Sequence, residues 1–139
     1  MALRSDAKMK LLKDVPLFAG CTKAEVRRLA SIADELDIRE GTVLTREGRT
    51  AHEFFVLVDG TVRVSKGGRR LADLGPGDWL GEIALLTKAP RTATATATSP
   101  VDALVIVDRD FRHVVSEMPS IAMKMLSCVA ERLSRTPHS

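Results

Sequence analysis

Residues 81–99 read GEIALLTKAPRTATATATS. A glycine and a glutamate head a short apolar run, a proline turns the chain, and Arg91 leads into alternating threonine and alanine. Ile83-Ala84-Leu85-Leu86 is too short for a strong helix but long enough for one turn, whose first backbone N–H groups lack internal acceptors. Such donors suit an anion, and Gly81 has no side chain to hold a ligand away from the backbone. Arg91 follows Pro90, so the chain is extended there and able to enter a strand. A phosphate would give its guanidinium bidentate, charge-assisted hydrogen bonds. Glu82 would be repelled by a phosphate and suits a sugar hydroxyl instead. A nucleotide with a free 2′-OH and one phosphate charge fits this acid and base, nine positions apart. A plain Glu82–Arg91 ion pair stapling the turn fits them equally well.

Strand geometry adds a condition. In a regular strand Thr92, Thr94 and Thr96 share one face and Ala93, Ala95 and Ala97 the other. Arg91 and Thr92 then point to opposite sides. For both to serve one ligand, either Arg91 sits in the turn before the strand or Thr92 contributes its N–H.

Outward from this stretch, Gly41, Gly48, Gly60, Gly67, Gly68, Gly75, Gly77 and Gly81 punctuate runs of β-branched residues. Short strands joined by tight turns follow, in a number that points to a barrel or sandwich. FFVLVDGTVRV carries Asp59-Gly60, which suits a type I′ turn between strands. In DALVIVD, Leu104 and Ile106 share one face and Val105 and Val107 the other. The first third reads as helix. AKMKLLKDVPLFAG predicts a short helix stopped near Pro16, with Leu17 and Phe18 as core anchors. TKAEVRRLASIADEL opens on a Thr22–Glu25 capping box and carries Val26, Leu29, Ala33 and Leu36 at helical spacing. After Asp108, DRDFRHVVSEM predicts a helix ended by Pro119, and SIAMKMLSCVAERLSR a last one with a stripe of Ile121, Met125, Val129 and Leu133. Core packing accounts for that stripe, and a partner helix or ligand lid is the alternative.

The 139 residues are 45% hydrophobic and 28% charged, which suits one globular domain. Lys and Arg exceed Asp and Glu by 21 to 18, a spread-out +3 that supplies no nucleic-acid arm or polybasic patch. Cys21 and Cys128 lie far apart, as incidental thiols of a reducing compartment would. MALRSDAKMK lacks the apolar core of a signal peptide, and no run approaches the roughly 18 apolar residues of a membrane span. A cytoplasmic protein is expected. His52, His113 and His138 are scattered, no nucleophile elbow or P-loop occurs, and GPGDWLG misses the dinucleotide pattern. These absences point to a binding module rather than an enzyme.

GEIALLTKAPRTATA resembles the phosphate-binding cassette of the cyclic nucleotide-binding domains at Gly81, Glu82, Ile83, Ala84, Leu85, Pro90, Arg91, Thr92, Ala93 and Thr94, including the Glu82–Arg91 spacing. LLKDVPLFAGCTKAEVRRLA is similar to the family's N-terminal helices, and FRHVVSEMPSIAMKMLSCVAERL to the two helices after its β-roll. The resemblance implies a mainly β fold, an eight-stranded antiparallel β-roll, over a single domain of residues 1–139. Helices would occupy about 1–36, the roll 37–107 and two C-terminal helices 108–135. It further implies that Glu82 accepts from the ribose 2′-OH and that Arg91 pairs with the cyclic phosphate, aided by the N–H groups of Ala84 and Thr92. Gly81 and Leu85 would line the sugar-phosphate side, and Ala130, Arg132 or Leu133 would cap the base.

Leu80 stands where the family frequently has Phe. Thr92 goes with cGMP in eukaryotic members, whereas bacterial-looking members with Ser or Thr bind cAMP. The expected ligand is therefore cAMP, with cGMP as the alternative. The partners expected are an effector protein and a second copy through the last helix. DNA binding within this chain is not expected, since no helix-turn-helix follows the long helix. The MALRSD start and TPHS end fit a stand-alone sensor, with a regulatory domain of a channel, transporter or enzyme as the other possibility.

Overall fold

The computed structural model describes residues 3–50, 52–81, 83–87 and 89–134, with the main chain only at 83, 84, 132 and 133. Two helices come first, α1 (Ser5–Lys13) and α2 (Lys23–Ser31), separated by a 3₁₀ turn at Pro16–Phe18. In α2 the Thr22 hydroxyl accepts from Glu25 N at 3.2 Å while Glu25 Oε1 accepts from Thr22 N at 2.7 Å, so two orphan donors of the first turn are satisfied. Leu17 and Phe18 are buried in the core, and Phe18 meets Phe54 edge to face, ring centres 5.8 Å apart.

Eight strands follow among the described residues: β1 (Asp34–Ile38), β2 (Val43–Thr45), β3 (Glu53–Asp59), β4 (Val62–Lys66), β5 (Arg69–Leu74), β6 (Trp79–Leu80), β7 (Thr94–Ala97) and β8 (Val101–Val107). They form two four-stranded antiparallel sheets, in the orders β1-β8-β3-β6 and β2-β7-β4-β5. The sheets pack face to face on Phe55, Leu57, Val62, Ala95, Ala97, Ala103 and Val105. A one-turn helix, α3 (Ile83–Leu86), interrupts the strands, and α4 (Asp108–Glu117) and α5 (Ser120–Ser134) close the chain. The helices cover the other face of β3 and β8, burying Phe54, Val56, Leu104 and Ile106. Both strands read as nearly continuous apolar runs because each is covered on both sides. The expected mainly β architecture of eight antiparallel strands with flanking helices is the one present.

Two local expectations are corrected. The second helix ends at Ser31 rather than near Leu36, because residues 34–38 pair with 101–105 of β8. Sheet pairing overrides a helix-compatible spacing, and Leu36 is left 46% exposed. Asp59-Gly60 forms no hairpin, since β3 and β4 belong to different sheets and only Gly60 has a positive φ, +92°. A Cβ there would lie 2.3 Å from the carbonyl oxygen of Pro100. The chain thus crosses between sheets at a point where only glycine fits. The hairpin is instead β4–β5, turned at Gly67-Gly68 with φ of +56° and +79° and closed by Lys66 opposite Arg69. The apolar stripe of α5 faces inward: Ile121 and Met125 are fully buried and Val129 packs against the same core, while the Leu133 side chain lies outside the described residues.

One buried charge ties the two helical ends together. Glu25, 2% exposed, accepts hydrogen bonds from Ser120 Oγ and Lys124 Nζ of α5 as well as from Thr22. Burial alone would raise its pKa, but these donors overcome that and lower it to about 2.

Candidate functional site

Gly81 follows directly on β6, which is held by Phe55 and Val56 of β3. Its φ is +86°, and a Cβ placed on it would sit 2.2 Å from Arg91 Nη1, 2.8 Å from Arg91 Nη2 and 2.7 Å from the carbonyl oxygen of Glu53. The guanidinium of Arg91 therefore rests against the bare α-carbon of Gly81, and its Nη2 donates to Glu53 O. The close approach expected at Gly81 is made, in this structure, by the arginine itself. Glycine is required twice over, by backbone conformation and by space.

The main chain of Arg91 is fixed as firmly as its side chain. Arg91 N donates to Arg49 O at 2.9 Å, Gly48 N donates to Arg91 O at 2.9 Å, and Pro90 forms a bridge with Thr50. Regular pairing of β7 begins only at Thr94, so Arg91 lies before the strand, the first of the two arrangements its neighbour Thr92 allows. Along β7 the alternation holds: Ala95 and Ala97 are buried between the sheets, and Thr94 and Thr96 are half-buried. Thr92 is exposed and Ala93 half-buried, with Ala93 O accepting from Thr45 Oγ1 at 3.4 Å.

Ile83 and Ala84 begin the α3 turn that follows Gly81. Leu85 is buried in the helix-side core, whereas Leu86 is 41% exposed. Gly81, Pro90 and Arg91 are thus brought to one place, with the α3 turn beginning two residues beyond Gly81. Glu82 lies outside the described residues, and with it both the ribose contact and the ion pair with Arg91. Of the candidate base caps, Ala130 is exposed on α5, while the side chains of Arg132 and Leu133 are outside the described residues.

Two groups escaped sequence reasoning. Beside Arg91 lies a cavity of about 280 Å³ whose lining includes Thr45, Arg46, Arg49, Thr50 and Glu53. Gly48, φ +82°, was the available signal, since it turns the chain that carries the two extra arginines. The second group is Asp108, the first residue of α4. It is buried, accepts from Arg112 Nη1 at 3.3 Å, and pairs with His52 Nδ1 at 3.2 Å. Its N–H also donates to His52 O at 2.8 Å. Burial would raise its pKa, but His52 and Arg112 hold it below the ordinary carboxylate range. His52 precedes Glu53, whose carbonyl takes Arg91, so the arginine and the start of α4 are two contacts apart.

The cyclic nucleotide-binding domain model matches residues 35–118 of the sequence, which span β1 through α4 and include the whole site. The chain belongs to the cyclic nucleotide-binding domain family. Among relatives of this domain, a cAMP-dependent protein kinase regulatory subunit of Mycosarcoma maydis is 41% identical over 100 residues, covering 67% of this chain and 18% of its own. Acetyltransferase Pat of Mycolicibacterium smegmatis is 33% identical over 138 residues, covering 96% and 41%. The chain therefore spans less than half the length of these two relatives. In three dimensions it matches the N-terminal domain of a transcriptional regulator from Streptomyces coelicolor with a TM-score of 0.84 and 29% identity, over 93% of this chain and 96% of that one. One domain thus recurs in a kinase subunit, an acetyltransferase and a regulator of transcription.

Proposed function

We propose that this chain forms a cyclic nucleotide sensor domain that binds cAMP, with Arg91 as the phosphate ligand. The observation that carries the proposal is the guanidinium of Arg91 seated on Gly81 beside the α3 turn. The residues present fit an anion: a fixed cation, a glycine with a positive φ, and a helical turn whose first N–H groups have no helical acceptors. Glu82, Ile83, Ala84, Leu85, Pro90, Thr92 and Ala93 complete the proposed site, with Glu82 on the ribose. The relatives, a cAMP-dependent protein kinase regulatory subunit among them, favour cAMP over cGMP.

Binding without catalysis is the proposed role. Occupancy is passed on through contacts already in place. Arg91 holds the Glu53 carbonyl, His52 next to it pairs with Asp108, and Asp108 opens α4. A ligand that draws on Arg91 in one state of the domain more than in another shifts the balance between them. The receiver is an attached or separate effector, or a second copy. Met123 and Leu126, 62% and 60% exposed, lie with exposed Ala130 on the outer face of α5 at spacings of three and four, as a helix pair requires. A cytoplasmic setting and no DNA contact of its own complete the proposal.

Calorimetric titration of wild type and Arg91→Ala with cAMP and cGMP tests it. Losing a charge-assisted contact worth about 1.5–3 kcal/mol weakens cAMP binding roughly 10- to 150-fold. Wild type that binds neither nucleotide at micromolar ligand overturns the sensor assignment. Equal affinity in Arg91→Ala overturns the phosphate assignment.

A further inference from the structure

We propose that the cavity beside Arg91 is a second anion site, in which Arg46 and Arg49 take a phosphate-type group separate from the one on Arg91. It rests on the reading of Arg91 as a phosphate ligand only for its location.

The two arginines sit at either end of a tight turn. Arg49 N donates to Arg46 O at 3.0 Å, and Gly48 in between adopts a φ of +82°, which few side chains tolerate. That turn is stitched to Arg91 by the two 2.9 Å main-chain hydrogen bonds and the Thr50–Pro90 bridge. The register places Arg46, Arg49 and Arg91 around one cavity without leaving their spacing to chance.

Among the described residues that line the cavity besides Arg91, the two guanidiniums of Arg46 and Arg49 accompany one carboxylate, Glu53. Neither Arg46 nor Arg49 takes part in any of the ion pairs among the described residues. The neighbouring acid, Glu47, is engaged by another turn, its Oε1 accepting from Gly67 N at 3.0 Å. Like charges held together raise the local potential and favour a multivalent anion. A guanidinium's planar fork matches two phosphate oxygens, and Thr45 and Thr50 add hydroxyls.

Size sets the class of ligand. At about 280 Å³ the cavity falls just below the roughly 300–1,000 Å³ of drug-sized pockets. A phosphoryl group fits within that space. The group is either free phosphate or a second phosphoryl carried by the bound nucleotide.

Inorganic phosphate and adenosine 3′,5′-bisphosphate are each titrated calorimetrically into wild type, Arg91→Ala and the double variant Arg46→Gln/Arg49→Gln, with cAMP titrated in parallel. Both mutated arginines are exposed, so the double variant retains the fold. Phosphate that binds cAMP-saturated wild type and at least about tenfold more weakly the double variant supports a site for free phosphate. Tenfold weakening of the bisphosphate alone supports a site for the nucleotide's second phosphoryl. Affinities for both probes that are unchanged in the double variant, or lost only in Arg91→Ala, overturn the proposal. Failure of cAMP to bind wild type while phosphate binding still depends on Arg46 and Arg49 sinks the sensor assignment and leaves the second site standing.

Discussion

Replacing Gly81 by alanine separates two demands that the structure makes at one atom. A Cβ at this position meets the tip of a mobile side chain, Arg91 Nη1 at 2.2 Å, and a main-chain atom, Glu53 O at 2.7 Å. The guanidinium can swing away, at the loss of its hydrogen bond to Glu53 O, about 1.5–3 kcal/mol for a charged donor. The carbonyl belongs to β3 and has no such freedom, and the φ of +86° itself costs an alanine about 1–2 kcal/mol. Gly81→Ala is therefore expected to destabilise the domain by about 2–4 kcal/mol. With an unfolding entropy near 0.3 kcal/mol/K for a chain of this size, Tm falls by roughly 10 °C. The double variant Gly81→Ala/Arg91→Ala apportions the cost. With the guanidinium gone, the alanine is charged only for its backbone conformation and the Glu53 carbonyl, so the two substitutions couple favourably by about 1–2 kcal/mol. Thermal denaturation of all four proteins gives the coupling, and cAMP titration of Gly81→Ala gives its functional counterpart, a loss comparable to that of Arg91→Ala. Strict additivity in stability, with unaltered cAMP affinity in Gly81→Ala, would refute the seating of the arginine on the glycine.

Glu25→Ala leaves Lys124 without its buried partner and is expected to cost about 3–5 kcal/mol in chemical denaturation; a loss under 1 kcal/mol contradicts the bridge between α2 and α5. Because the folded-state pKa of Glu25 is lowered from 4.5 to about 2, its contribution is present above pH 4.5 and lost as pH falls through that window. Wild type should therefore show an acid limb of stability over pH 4.5–2 that Glu25→Gln lacks. Asp102 behaves oppositely. Directly across the sheet from both Asp37 and Asp59, and beside Glu35, it is raised to about 6 by burial first, then by sharing a proton with Glu35 and by the charges of Glu35 and Asp37. The folded state holds that proton where the unfolded state releases it, so this group's contribution declines as pH rises from about 4 to 6. Asp102→Asn should flatten the decline, and melting curves at pH 4.5 and 6.5 that shift equally in both proteins contradict the shared proton.

The fold was legible where one physical rule governed a segment. Alternation placed Leu104 and Ile106 on the face opposite Val105, as the two core clusters have them, and the Thr22–Glu25 pair marked the start of α2. It was illegible where a distant strand settled the outcome. Residues 34–38 carry a spacing that a helix would accept, and only the ladder offered by β8 makes them a strand. Asp59-Gly60 has the composition of a hairpin turn, yet Gly60 is required for its approach to Pro100, forty positions away in sequence. Local sequence identified the glycine and left its reason to the tertiary structure.

The same division runs through the site. Gly81 and Arg91, which the structure places in contact, were singled out in the sequence by the chemistry of an anion and, with Pro90, by the cassette pattern. The carbonyl of Glu53 was not, because any residue presents a carbonyl and only the antiparallel pairing of β3 with β6 aims this one at Arg91. In the proposed sensor that carbonyl bears on how occupancy is passed on. It fixes an arginine that would otherwise lose side-chain freedom on meeting an anion, so part of the ordering cost of binding is already met. It also means that an anion drawing on Nη2 competes with β3 for the same donor. Any ligand that weakens this contact acts on Glu53 and its neighbour His52, and His52 is held to α4 by Asp108 through both side chain and main chain. In the proposed sensor, occupancy is reported by what the arginine lets go of as much as by what it grips.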